Sequence, residues 1–105
     1  MPRRVVMRDE RTGRDTRSLV AELARDGALS IHGHDLGPGA AAADGEHEWV
    51  YEHPAATIPD LLEVLGAPRD GDILAVIADR YTGRASYDFE QRVRASALTP
   101  SLFVL

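Results

Sequence analysis

A chain of 105 residues and 11.4 kDa, 44% hydrophobic and 28% charged, has the composition of one soluble globular domain with a modest core. It contains no cysteine, and all 12 of its basic residues are arginine, which excludes disulfides, thiolate nucleophiles, Schiff-base lysines and the lysine of a phosphate-binding P-loop. The net charge of −5 is unevenly spread: residues 1–17 carry +3, residues 18–66 carry −8 and residues 67–105 are balanced.

The basic start, Met-Pro-Arg-Arg, has no apolar segment behind it, and no apolar run reaches the roughly 18–20 residues that cross a bilayer. The expected setting is the cytoplasm, with no membrane partner. Residues 1–4 are expected to be flexible. Val5, Val6 and Met7 then read as a short strand, ended by the turn-forming run Asp9-Glu10-Arg11-Thr12-Gly13-Arg14.

A second strand, residues 17–24, places Leu19, Ala21 and Leu23 on one face, and its partner follows at 28–34. Register decides which of these side chains point inward. A two-residue Asp26-Gly27 turn mixes the faces. A three-residue loop, Arg25-Asp26-Gly27 with Gly27 left-handed, pairs Leu23 with Leu29 and Ala21 with Ile31 and segregates them. Residues 37–45, rich in Gly and Ala, read as a mobile loop. A fourth strand, 46–53, alternates strictly. Glu46, Glu48, Val50 and Glu52 share one face, while His47, Trp49, Tyr51 and His53 share the other, which carries the apolar area and therefore faces the core.

From residue 57 the period becomes helical. Thr57 is placed to cap a helix with Pro59 in the first turn and Asp60 at its third position, running through Leu61, Leu62, Val64 and Leu65 to Gly66. Asp70 or Asp72 opens a second helix with Ile73, Val76, Ile77 and Tyr81 inward, stopped at Gly83. Ser86 opens a third, carrying Phe89, Val93 and Ala97 before Pro100. The apolar tail, Leu102-Phe103-Val104-Leu105, is expected to dock as an edge strand or against the helices. The fold class is α+β: a single domain over 1–105 with a four-stranded antiparallel meander followed by three helices on one face.

The run Asp9-Glu10-Arg11-Thr12-Gly13, the segment Asp26 to Gly37, the strand with Glu46, Glu48, Trp49 and Tyr51, and the helix from Ile58 to Gly66 together resemble a group of small uncharacterised proteins of actinomycetes and other bacteria. The resemblance covers most of the chain. It implies the same fold in a bacterial cytoplasmic setting and carries over no catalytic residues.

Chemistry concentrates in one window holding all four histidines, His32, His34, His47 and His53, with Asp35, Glu46, Glu48 and Glu52. His32 and His34, two apart on a strand, point the same way, as a metal-binding pair must, and Asp35 or Glu48 could add oxygen. Glu48 or Glu52 beside a histidine could serve acid–base chemistry. The register divides the window, however, placing His32 and His34 opposite Leu29 and Ile31. The acidic middle suits a basic protein partner and disfavours nucleic acid, which needs basic surface.

The expected function is a non-enzymatic protein-binding module, immunity- or antitoxin-like or regulatory, with no cofactor. Its surface is the outer sheet face: Glu22, His32, His34, Glu46, Glu48, Val50 and Glu52, with Val20 among them. One alternative is a small metal-binding protein or enzyme using His32 and His34. The other is a nucleic-acid regulator using Arg80, Arg84, Arg92 and Arg94 of the last two helices. Homodimerisation through an edge strand is compatible with the first.

Overall fold

The computed structural model describes residues 3–38 and 45–105. Five antiparallel strands follow one another in chain order across the sheet. They are β1 (Arg3–Thr12), β2 (Asp15–Leu23), β3 (Leu29–Leu36), β4 (Glu46–His53) and β5 (Ser101–Val104). Three helices, α1 (Ile58–Val64), α2 (Ile73–Arg80) and α3 (Ala85–Ala95), lie between β4 and β5 in sequence. The α+β meander is as expected, with one strand more: the apolar tail adds β5 to the free edge of β4, pairing Val104 with Trp49 and Leu102 with Tyr51. Of the loop expected at 37–45, residues 39–44 lie outside the described residues, and the Gly37 amide donates to the Gly45 carbonyl across its base.

The β2–β3 register is the one that segregates the faces. Leu23 pairs with Leu29 and Ala21 with Ile31, and the Ala24 amide donates to the Ala28 carbonyl so that residues 25–27 form the loop. Gly27 takes a φ of 89°, which a side chain would resist. Inward-pointing Met7, Leu19, Ala21, Leu29 and Ile31 meet Leu61, Leu62, Leu65, Ile73, Leu74, Ile77 and Phe89 from the helices, and this single layer of contact is the core.

The first hairpin corrects two boundaries. Arg3 and Arg4 already pair with Leu23 and Glu22 within β1, and Asp9–Thr12 continue that strand, leaving only Gly13 and Arg14 as the turn. The polar run reads as a turn by composition, yet its side chains have cross-strand partners: Glu10 faces Arg17 and Arg11 faces Thr16. Between Val6 and Arg8 the register slips by one residue. This bulge directs both Met7 and Arg8 inward, and both are buried. The Met7 carbonyl, released from the ladder, accepts the Gly83 amide at 2.7 Å and ties the α2–α3 connection to the sheet.

Helix ends follow the expectations in part. Gly66, at φ 72°, closes α1 with its amide on the Glu63 carbonyl and the Ala67 amide on the Leu62 carbonyl, a Schellman ending. Asp72 caps α2, its carboxylate accepting from the Ala75 amide. That bond, with Arg3 second, holds the Asp72 carboxyl below the ordinary carboxylate range. Thr57 precedes α1 but makes no capping bond, because it closes a 3₁₀ turn, Ala55–Thr57, and its hydroxyl donates backward to the Pro54 carbonyl. Ser86 sits inside α3 rather than opening it, and Ala97 lies beyond the helix, which ends at Ala95.

Candidate functional site

All the inward contacts are on one side of the sheet, so the other side is open. Pairing across the five strands assembles it in rows. The central row is Val6, Val20, His32, Val50 and Phe103, each directly opposite the next. On one side lies the row Arg4, Glu22, Ser30, Glu52 and Ser101. On the other lie Asp9, Ser18, His34 and Glu48, then Arg11, Thr16, Leu36 and Glu46. Val6 and Phe103 are each about half exposed, so the apolar row reaches both edges of the sheet. Arg4, Val20, Glu22, Ser30, His32 and Val50 surround a shallow depression at its centre.

The structure thus brings together every residue expected on the outer face: Glu22, His32, His34, Glu46, Glu48, Val50 and Glu52. Sequence reading missed Arg4, Val6, Asp9, Arg11 and Phe103. Simple alternation from inward Val5 could have placed Arg4 and Val6. Asp9 and Arg11 lie past the bulge, and Phe103 could be placed only once the register of β5 was known. The face is consequently polarised, acidic along β4 and carrying arginine along β1.

Imidazoles and carboxylates meet at the β3–β4 end. His34 Nε2 lies 2.9 Å from Glu46 Oε1 and 3.6 Å from Glu48 Oε2, and His32 Nε2 lies 3.3 Å from Glu48 Oε1. His34 and Glu48 are directly opposite, while the His34–Glu46 and His32–Glu48 contacts are diagonal, because strand twist moves the neighbour two residues along into reach. One ligand atom each from His34, Glu46 and Glu48 falls within 4.8 Å of the others, close enough to share a cation. These groups are substantially exposed, so their pairings alone stabilise the fold little.

The other two histidines lie on the helix-facing side. His47 stacks on Trp49 with ring centroids 4.9 Å apart, and His53 is 98% buried. Asp35 is removed from the candidate ligands, since it points to the helix side, where Arg17 Nη1 lies 3.8 Å from its carboxylate. The arginines named for nucleic acid, Arg80, Arg84, Arg92 and Arg94, lie exposed on the helix layer, and those of β1 do not join them: Arg3 pairs with Asp72, Arg8 is buried, and Arg4 and Arg11 are on the open face.

Burial of His53 lowers its pKa from the ordinary 6.5 by desolvating the charged form. Below about pH 6.5 the unfolded chain therefore takes up a proton that the folded chain refuses, and stability present above that pH is lost as the pH falls, until the folded imidazole also protonates. Denaturant unfolding at pH 7.5 and 5.5 should show a larger loss for the native chain than for His53→Gln. Equal losses would reject this account of His53.

Among the described residues no helix is long and apolar enough to cross a membrane. Comparison with protein-family models, with curated proteins and with solved structures yields no match for this chain.

Proposed function

We propose that this protein is a non-enzymatic binding module that receives a basic protein partner on the open face of its sheet, as immunity and antitoxin proteins do. The observation that carries the reading is the central row on a face that no helix covers: three valines and a phenylalanine from β1, β2, β4 and β5, with His32 of β3 between them. A soluble monomer has no need of a largely apolar row in water, whereas an interface uses one as its core. Glu22, Glu48, Glu52 and Glu46 flank the row and would steer and orient a cationic partner, with Arg4 and Arg11 at the far edge setting its direction. The comparison with immunity proteins rests on class alone.

A second reading draws on the convergence of His34, Glu46 and Glu48, with His32 beside them. Nitrogen and oxygen donors in that set suit zinc, and the same cluster would then be a cation site in the middle of the binding face.

One set of proteins decides between the two. A photo-crosslinking residue at Val50 is compared with one at Glu63, on the helix layer, in native and in Glu48→Arg/Glu52→Arg backgrounds. The binding reading expects one basic protein crosslinked from Val50 alone, lost on charge reversal and weakened as salt is raised. Crosslinking equally from both positions, or unaffected by reversal, overturns it. Titration of the purified protein with Zn²⁺ reads the second: stoichiometric binding abolished by His32→Ala/His34→Ala supports a metal protein, and its absence rejects one.

A further inference from the structure

A pocket of about 240 Å³ opens on the helix side, between the sheet and α3. At roughly 30 Å³ per water it could hold about eight. Ile31 forms part of its floor, Phe89 and Val93 of α3 one wall, and Leu98 of the segment leading to β5 the rim. That rim is held in place. Ser96 Oγ donates to the Val93 carbonyl at 2.6 Å and accepts the Leu98 amide at 3.1 Å, which folds the chain back over the pocket as α3 ends.

Four ionisable groups line this apolar space: Tyr51, His53, Glu90 and Arg94. The Glu90 carboxylate is already matched by Arg8 Nη2 at 2.5 Å. Arg94 is exposed and forms no ion pair among the described residues. His53 is 98% buried, yet its ring has no hydrogen-bond partner among the described residues. Its nitrogens are not among the fully buried polar atoms, so they keep access to the pocket that the ring lines and can bond to a molecule that enters it. Desolvation keeps that ring neutral, so it can donate one hydrogen bond without bringing charge into the apolar wall.

We infer that the pocket binds a small, largely apolar molecule carrying one carboxylate, with Arg94 clamping the carboxylate at the mouth and His53 hydrogen-bonding to it from within. The planar guanidinium fork matches a carboxylate in two-point contact. The apolar body of the ligand replaces water against Ile31, Phe89, Val93 and Leu98. The site is on the opposite side of the sheet from the proposed partner face, so each stands or falls without the other.

Octanoate, whose ten heavy atoms suit the volume, is the probe, and 1-octanol is its uncharged control. Titration followed by amide and imidazole NMR shifts is expected to show saturable 1:1 octanoate binding, with the shifts gathered at Ile31, His53, Val93 and Leu98. Octanol should bind at least about tenfold more weakly, as should octanoate to Arg94→Glu, because each lacks the charge pair. Arg94 is a surface residue, so that variant is expected to keep the native melting temperature. Non-saturating or scattered shifts, or equal octanoate affinity in Arg94→Glu, would overturn the assignment.

Discussion

Arg8→Ala is expected to destabilise the fold by about 3 kcal/mol, the low end of the range of about 3–5 kcal/mol for removing one partner of a buried ion pair. Arg8 is 4% exposed, with Nε donating to Ser86 Oγ at 2.9 Å and Nη2 donating to Glu90 Oε1 at 2.5 Å. The guanidinium carbon also lies 3.5 Å from the centroid of the Tyr87 ring. Removing it strands the Glu90 carboxylate, whose side chain is 20% exposed, without a counter-charge. That residual access to water is why the low end applies. At about 4–8 °C per kcal/mol for a domain near this size, the melting temperature should fall by more than 10 °C.

Arg8→Lys keeps the charge but loses the fork that reaches Ser86 and Glu90 together, so an intermediate loss is expected. The double variant Arg8→Met/Glu90→Leu should recover most of the stability, because it removes the stranded charge and fills the space with apolar volume. Urea unfolding of the three variants is the measurement. A loss below about 1 kcal/mol for Arg8→Ala, the scale of a surface pair, would show that this ion pair does not hold α3 to the sheet.

The second large effect concerns Gly33→Ala. A methyl carbon at Gly33 would lie 2.1 Å from Cζ2 and 2.2 Å from Cε2 of Trp49, which crosses over it from the neighbouring strand. Gly33 has no positive φ, so space and not backbone conformation requires the glycine. The indole must leave its seat and its stack on His47. Overpacking of this kind costs about 1–3 kcal/mol. Trp49 is the only tryptophan, so its fluorescence reports the event directly. A lower unfolding midpoint together with red-shifted emission is expected, and Trp49→Leu in the Gly33→Ala background should return part of the loss through their coupling. Unchanged midpoint and emission would mean that the ring does not pack on Gly33.

Much of the sheet was legible from local pattern. Strict alternation in residues 46–53 separated Glu46, Glu48, Val50 and Glu52 from Trp49 and Tyr51, and the same segregation chose between two loop lengths at Asp26-Gly27. Helical spacing and the glycines at 66 and 83 set the three helices. Thr57 misled because a cap depends on the backbone conformation of the capping residue itself, which the preceding 3₁₀ turn alters. The run 9–12 misled because charged residues in a paired strand and in a turn have the same composition.

By itself the sequence determined the α+β class, the register of β2 on β3, the division of the four histidines between two faces, and the exclusion of thiol and lysine chemistry. These follow from short-range periodicity, which one chain segment carries within itself. Only the tertiary structure decided the inward turn of Arg8, the closeness of Trp49 to Gly33, the addition of Val6 and Phe103 to the open row, and the pocket in which His53 is left unpaired. Each of these depends on which distant segments meet. A one-residue bulge or the register of a strand that pairs after three intervening helices leaves no periodic mark on the residues it rearranges.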